Sequence, residues 1–457
     1  MADADLVVRG GAVVRPDSVD RADVAIVDGR IAGIGAGLPA TGAEEIDATG
    51  LHVFPGGVDP HVHFNEPGRT EWEGIATGSE ALAAGGFTTY ADMPLNSDPV
   101  TTDAGAFDRK RAAAEAASHV DFGLWAGLVP GNARHLEPLA RRGALGFKAF
   151  LCDSGLPEFP PVDDLTLAEG MRRCAELGAI VLVHAESAAM VAGLARRAAA
   201  AGGRGARDFA DSRPALAELE AINRALFLAG ETGCALHVVH VSTPRGVELV
   251  ERARAAGVDA SCETCPHYLL LTASDAEELG AVAKCAPPLR TAADRDGLWA
   301  AIERRALRIV ASDHSPCPPA LKAGDFLSAW GGVSGCQTTR HLVLEHGHAR
   351  RGLSLPAVAA LTAMGAARRF RLAGKGAIEV GADADLALID VGRAWDLRAD
   401  ELRYRHRQSP FVGWRARGRV ARTLLRGRTV LRDGGLSGPP SGRLLTPAQR
   451  SGDQRTW

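Results

Sequence analysis

The sequence predicts an α/β protein with two parts. Residues 54–375 read as a (β/α)8, or TIM, barrel, and residues 1–53 and 376–457 as one small composite β-sandwich domain. Two observations carry this. The middle of the chain alternates apolar strands with helical patterns about eight times, the signature of a wound parallel sheet. Its flanks share another texture, short β-branched runs separated by glycine turns, and neither flank is large enough to bury a core alone.

The elements follow in order. The opening runs LVVRGGAVV and DVAIVDGRIAGIG carry Gly-Gly and Asp-Gly hairpin signals. Eight barrel strands are then expected at FPGGVDPHVHF, FTTYADMP, DFGLWAGLV, ALGFKAFL, AIVLVHAE, ALHVVHVS, DASCETCPHYL and RIVASDHSP. Helical spacing appears between them, as in LAEGMRRCAELG. In TPRGVELVERARAAG, Thr243 is placed as N-cap and Pro244 in the first turn. No glycine fingerprint for a dinucleotide supports an open doubly wound sheet. DADLALID and RTLLRGRTVLRDGG return to the β texture, and the Gly, Pro and Ser content beyond about Leu436 predicts a loosely held, flexible tail.

Composition excludes several classes. Of 457 residues 46% are hydrophobic and 23% charged, with a net charge of -3, so no global bias toward nucleic acid or membrane exists. No apolar run of about 18 residues occurs. The start MADADLVVRGG is acidic where a secretory signal is basic and then apolar, which predicts a cytoplasmic protein. Eight cysteines are scattered from Cys152 to Cys336; Cys262 and Cys265 form a C-x2-C pair with no second pair at zinc-ribbon spacing, and are read as reduced thiols.

The chemistry gathers at strand ends, where barrel enzymes place reactive groups. His61 and His63 close the first strand, and i, i+2 neighbours share one face of a strand. Lys148 lies in the fourth, His184 ends the fifth, His240 the sixth and Asp313 the eighth. A metal centre explains four histidines and an aspartate in this register better than unrelated core or surface roles. Lys148 stands inside an apolar strand, although only five of the 52 basic residues are lysine. An amine can add carbon dioxide and present two carbamate oxygens, which guanidinium cannot. A salt bridge to a neighbouring acid is the plainer alternative, less apt beside four histidines.

HVHF-NEPGRTEWEG, MPLN, GFKAF, LVHAE, CETCPHY, KCAPP-LR, SDHSPCPPALKAGDF-AWGG and the late YRH-SPFVG together resemble the cyclic amidohydrolases, allantoinases in particular, over nearly the whole chain. The resemblance implies two divalent ions, usually Zn2+ with Co2+, Mn2+ or Fe2+ as alternatives, and N6-carboxylated Lys148. It implies that His61, His63 and Asp313 hold one ion, His184 and His240 the other, with the Lys148 carbamate bridging. It also implies a homotetramer. The expected activity is hydrolysis of the cyclic amide of allantoin to allantoate by a metal-activated bridging hydroxide. Asp313 is the expected catalytic acid–base.

Related dihydroorotases show HVHLREPG, MPNT and DHAPH, anchoring a carboxylate through the arginine, asparagine and last histidine. Asn65, Leu95 and Cys317 stand at those places, which favours a neutral ureido-bearing ring. Asn65, Asn96, Ser315, Cys317 and Gly332 are candidate substrate contacts, with loop shaping as the alternative for the asparagines and a plain turn for GGVSG at 331–335. His314 is a pocket-shaping or loop-packing residue. Ala286 stands where some relatives carry serine, so only its main chain is available. Loops 152–162 and 202–213 are candidate covers. A hydantoinase or dihydropyrimidinase, and a non-catalytic barrel scaffold, are the competing readings; the scaffold is disfavoured because no metal ligand is lost.

Overall fold

A computed structural model describes residues 4–449. Strands Gly57–Val62, Phe87–Asp92 and Asp121–Leu124 form one parallel ladder. Strands Ala126–Gly127, Phe147–Phe150, Ile180–His184, Ala235–Val238 and Ala260–Cys262 form a second. The two ladders part at Trp125, a fully buried side chain whose indole Nε1 donates to the Pro60 carbonyl at 2.9 Å. Helices Ile75–Ala84, Ala104–Ala117, Asp164–Glu176, Ala215–Thr232 and Pro244–Ala255 alternate with these strands. Thr243 caps the last of them by accepting from the Gly246 N–H, with Pro244 opening the helix.

The expected eighth strand is not regular. Segment 309–314 pairs only through isolated parallel bridges, Thr264 to Val310, Val62 to His314 and His314 to Val333. Ala311 N–H still donates to the Thr264 carbonyl, but Val310 N–H goes to Leu361 O and Ser312 N–H to the Asp59 carboxylate at 3.1 Å, and Asp313 takes φ 45°. A residue in that left-handed region cannot continue a ladder. The barrel therefore closes through a distorted stave, and Asp313 sits on it.

Both chain ends build the second part. Strands Gly435–Leu436, Arg428–Arg432, Arg415–Leu425, Leu386–Asp396, His52–Pro55, Leu6–Val14, Val19–Val27 and Arg30–Gly35 follow in that order, with Glu44–Asp47 added on Leu6–Val14. Hydrogen bonding makes this one nine-stranded sheet. Leu6–Val14 pairs with three strands, Val19–Val27, Glu44–Asp47 and His52–Pro55, and its register shifts after Val8, where Gly10 takes φ 64°. Val8, Val24, Ile26, Val53, Leu386, Leu388 and Leu424 form its apolar centre. The sheet extends to Pro55, slightly beyond the expected boundary, and crosses to the barrel at Gly56-Gly57. A Cβ on Gly56 would lie 2.1 Å from Thr88 Oγ1, so only glycine permits this crossing.

The segment 437–449, expected to be loosely held, is docked. Ser441 and Gly442 N–H groups donate to the Ser118 carbonyl, Leu445 N–H to Phe122, and Ala448 N–H to Arg371. Composition could not show this, because main-chain groups make these bonds whatever the side chains. The last residues of the expected tail, 450–457, lie outside the described residues. No helix among the described residues is long and apolar enough to cross a membrane.

Candidate metal centre

Period-two alternation puts His61 and His63 on one face as the first strand ends, and the distorted eighth stave brings Asp313 across to them. Asp313 Oδ1 is 3.2 Å from His61 Nε2 and 3.5 Å from His63 Nε2. These three side chains form one group with donor atoms inside 4.8 Å. The fifth and sixth strands deliver a pair: His184 Nδ1 lies 3.1 Å from His240 Nε2. The His61 and His240 rings are 5.5 Å apart between centroids, so the two groups share one chamber.

Lys148 is 1% exposed, and its Nζ has no hydrogen-bond partner among the described residues. Burial lowers its amine to about 8, against the raising influence of Asp313 and Glu263. Burial also holds His240 and His61 well below the ordinary imidazole value and His184 below it, with Lys148 adding to each. Neutral imidazoles are metal donors. His63 Nδ1 and His240 Nδ1 are likewise buried without partners. Buried polar atoms are normally satisfied, so the unpartnered Lys148 amine amid neutral imidazoles and a carboxylate fits a site for divalent cations.

Two carboxylates missed in the sequence reading orient these histidines. Glu263 Oε1 meets His61 Nδ1 at 2.6 Å, while its Oε2 meets His237 Nε2 at 3.1 Å. This fixes the His61 tautomer that turns Nε2 toward Asp313. Glu186 Oε2 meets His184 Nε2 at 2.8 Å, leaving Nδ1 facing His240, and Arg213 Nη1 pairs with the same oxygen. The i+2 spacing in HAE was the available signal for Glu186; Glu263 lay inside the C-x2-C text, where thiols drew attention. All eight cysteines are free and buried.

The remaining candidates are placed as follows. Asn65 takes φ 65°, its Nδ2 donates to Pro316 O at 3.4 Å, and its Oδ1 is buried without a partner. Asn96 takes φ 69° and gives its main-chain oxygen to Arg69. Both conformations suit asparagine in a loop. Ser315 donates its N–H to Val333 O, and Cys317 is fully buried with its carbonyl bound by Gln408. Gly332 N–H goes to the Lys284 carbonyl, and its own carbonyl accepts from Lys322. His314 is fully buried, with Nε2 3.4 Å from Glu73 Oε2 and Nδ1 accepting from Gly335 N–H, a loop-packing position. Of the expected covers, loop 152–162 reaches Arg69 through Glu158 at 2.6 Å, and 202–213 reaches the centre through Arg213.

A parallel barrel with histidines, a lysine and an aspartate converging at strand ends defines a barrel hydrolase built around a cation site. Residues 52–430 match the family model described as "Amidohydrolase family". This chain belongs to the amidohydrolase family. It is 54% identical over 455 residues to an allantoinase of Rubrobacter xylanophilus, covering 99% of this chain and 100% of that one. An allantoinase of Solibacter usitatus is 55% identical over 445 residues, 97% of each chain. Among solved structures, the L-hydantoinase (dihydropyrimidinase) of Arthrobacter aurescens superposes with a TM-score of 0.94 at 35% identity, over 97% of this chain and 100% of that one.

Proposed function

We propose that this chain hydrolyses the cyclic amide of allantoin to allantoate. The observation that carries the choice of ring is the replacement of three carboxylate anchors by uncharged Asn65, Leu95 and Cys317. Leu95 and Cys317 are buried, and neither carries a charge or an amide to pair with a substrate carboxylate. Full-length similarity to proteins named allantoinase supports the same ring.

The ligand set of the proposal is His61, His63 and Asp313 for one divalent ion and His184 and His240 for the other, with carboxylated Lys148 between them. Zinc is the proposed metal, and carbon dioxide the source of the carbamate. Ions held there would activate water and polarise the scissile carbonyl. The chain's own residues do the rest. Asp313, 3.2 and 3.5 Å from the two first-strand histidines, accepts the proton of the attacking water and returns it to the leaving ring nitrogen. Glu263 and Glu186 keep the imidazole tautomers fixed throughout. The buried Phe150 ring stacks on His184 at 4.5 Å and covers that face of the imidazole. The proposed assembly is a homotetramer in the cytoplasm, checked by light scattering and cell fractionation.

Likeness to hydantoinase structures favours a second reading, in which hydantoin or dihydrouracil is the ring. Ring-opening rates on allantoin, hydantoin, dihydrouracil and dihydroorotate decide between them. Allantoin is expected to be preferred; a clear preference for any other ring overturns the assignment. A chain that takes up no divalent ion at saturating metal would instead be a non-catalytic scaffold.

A further inference from the structure

The chain has five lysines, and none is a surface charge. Lys110, Lys148, Lys284 and Lys375 are buried, and Lys322 is half-buried. Three have an evident reason to be inside. Lys148 stands at the metal centre. Lys110 meets Asp92 at 3.1 Å, and Lys375 meets Asp121, Asp383 and Asp385 at 2.7–2.9 Å. Lys284 and Lys322 have no carboxylate partner among the described residues. Burial lowers both to about 8, so holding them charged works against folding.

Their ammonium groups grip one short segment. Lys284 Nζ donates to Leu327 O at 2.8 Å and Ala329 O at 2.5 Å. Lys322 Nζ donates to Trp330 O at 2.9 Å and Gly332 O at 2.7 Å. The Lys284 main-chain carbonyl also accepts from Gly332 N–H at 2.8 Å. Four carbonyls within residues 327–332 are thus bound by two side chains from either side of the loop. An ammonium offers three donors and no acceptor, which suits it to gathering carbonyls.

The gripped segment reaches the chemistry. Gly332 lies so close to Ser315, two residues beyond Asp313, that a Cβ would stand 2.2 Å from the Ser315 carbonyl. Trp330 packs against the apolar cluster to which Met93, Leu95 and Phe150 belong, and Phe150 stacks on His184 at 4.5 Å. Trp330 Nε1 is buried with no hydrogen-bond partner among the described residues, a donor left unsatisfied by the protein. Trp72 meets the same indole edge-on at 5.0 Å.

From this geometry we infer that Lys284 and Lys322 are positioning residues for the substrate: together they clamp residues 327–332 as one wall of the binding chamber and present the Trp330 indole N–H to the ring. The inference rests on the ring-opening activity proposed above, which it deepens by naming what shapes that site. Neither lysine touches a proposed metal ligand, so the clamp acts on binding rather than on the reacting atoms.

The test uses full-length Lys284→Met, Lys322→Met and Lys322→Arg enzymes, loaded with metal as the wild type is. Amide hydrogen exchange over 327–332 is read without substrate, beside kcat, KM and metal content with allantoin. Faster exchange in both Met variants, a KM raised about tenfold at near-wild-type kcat and metal content, and partial recovery in Lys322→Arg are expected. Unchanged exchange in both Met variants overturns the clamp, whatever the substrate. Loosened exchange with unchanged KM overturns its role in positioning substrate. If wild type prefers another ring, that ring replaces allantoin in the KM measurement, so a wrong substrate and a wrong clamp are told apart.

Discussion

Replacing Lys148 with methionine should divide stability from function. In the metal-free protein the Lys148 ammonium is 1% exposed and makes no hydrogen bond to described residues. Burial brings its pKa from 10.5 to about 8, equivalent to about 3 kcal/mol of penalty on the charged form. Methionine fills similar volume with no charge to desolvate, and such exchanges are neutral or stabilising by about 1–4 kcal/mol. Chelator-stripped Lys148→Met, kept in carbon-dioxide-free buffer, is therefore expected to unfold in urea with a midpoint equal to or above that of stripped wild type. The same variant in metal-containing buffer should lose bound metal and ring-opening activity. Lys148→Ala should lose both as well, with partial rescue by short carboxylic acids that replace the carbamate oxygens. A stripped Lys148→Met protein several kcal/mol less stable than wild type would mean that the lysine is a structural cation. Full metal content in either variant would remove it from the ligand set.

Other consequences follow from single contacts. Glu263→Gln cannot accept from both His61 and His237, and should weaken metal binding by about 10–100-fold with little change in fold, read by competition with a chelating dye. His341 is 4% exposed and burial lowers it to about 4. Its folded pKa lies below the unfolded value of about 6.5, so the unfolded chain binds more protons between them. Stability is then intact above about 6.5 and lost as pH falls toward 4, by about 3 kcal/mol from this group. A His341→Leu protein should show a shallower fall in urea midpoint from pH 7 to 4.5, and an equal slope would refute the assignment. Gly442→Val places a Cβ 2.1 Å from the Val120 carbonyl. It should lower stability by about 1–3 kcal/mol while leaving kcat and KM unchanged.

What could be read in advance follows from periodicity. Strands repeat every two residues, so His61 and His63 declare a shared face without any knowledge of the rest. His184, His240 and Asp313 declare themselves by ending apolar runs. Glu263 could not, because its meaning depends on His61, 202 positions away in the chain. The rarity of lysine singled out Lys148, yet the same count applied equally to Lys284 and Lys322, whose environment is set by a loop with no periodicity. The composition of 437–449 predicted looseness, but that segment is held by main-chain hydrogen bonds to Ser118, Phe122 and Arg371, to which composition is blind. The eighth strand was legible as a β-rich run and illegible as a distortion, since the Asp59 carboxylate that captures the Ser312 amide belongs to the first strand.

Backbone conformation offers an argument for the centre that is independent of side-chain identity. Nine non-glycine residues among those described take positive φ. Asp28, Arg426 and Asp433 lie in turns between strands, and Arg305 and Arg371 just beyond helices, all places where left-handed geometry is ordinary. Asn65 and Asn96 occupy loops, and asparagine tolerates that region. His240 at 39° and Asp313 at 45° are different. They stand at the ends of barrel staves rather than in surface turns, and their side chains are largely enclosed. Such conformations cost about 1–3 kcal/mol each and persist where the surroundings impose them. Glycine would relieve the strain at both positions and leave no donor atom. The retained imidazole and carboxylate point from two separate strand ends into one chamber, and a shared cation site is the arrangement that gives both strains a common cause.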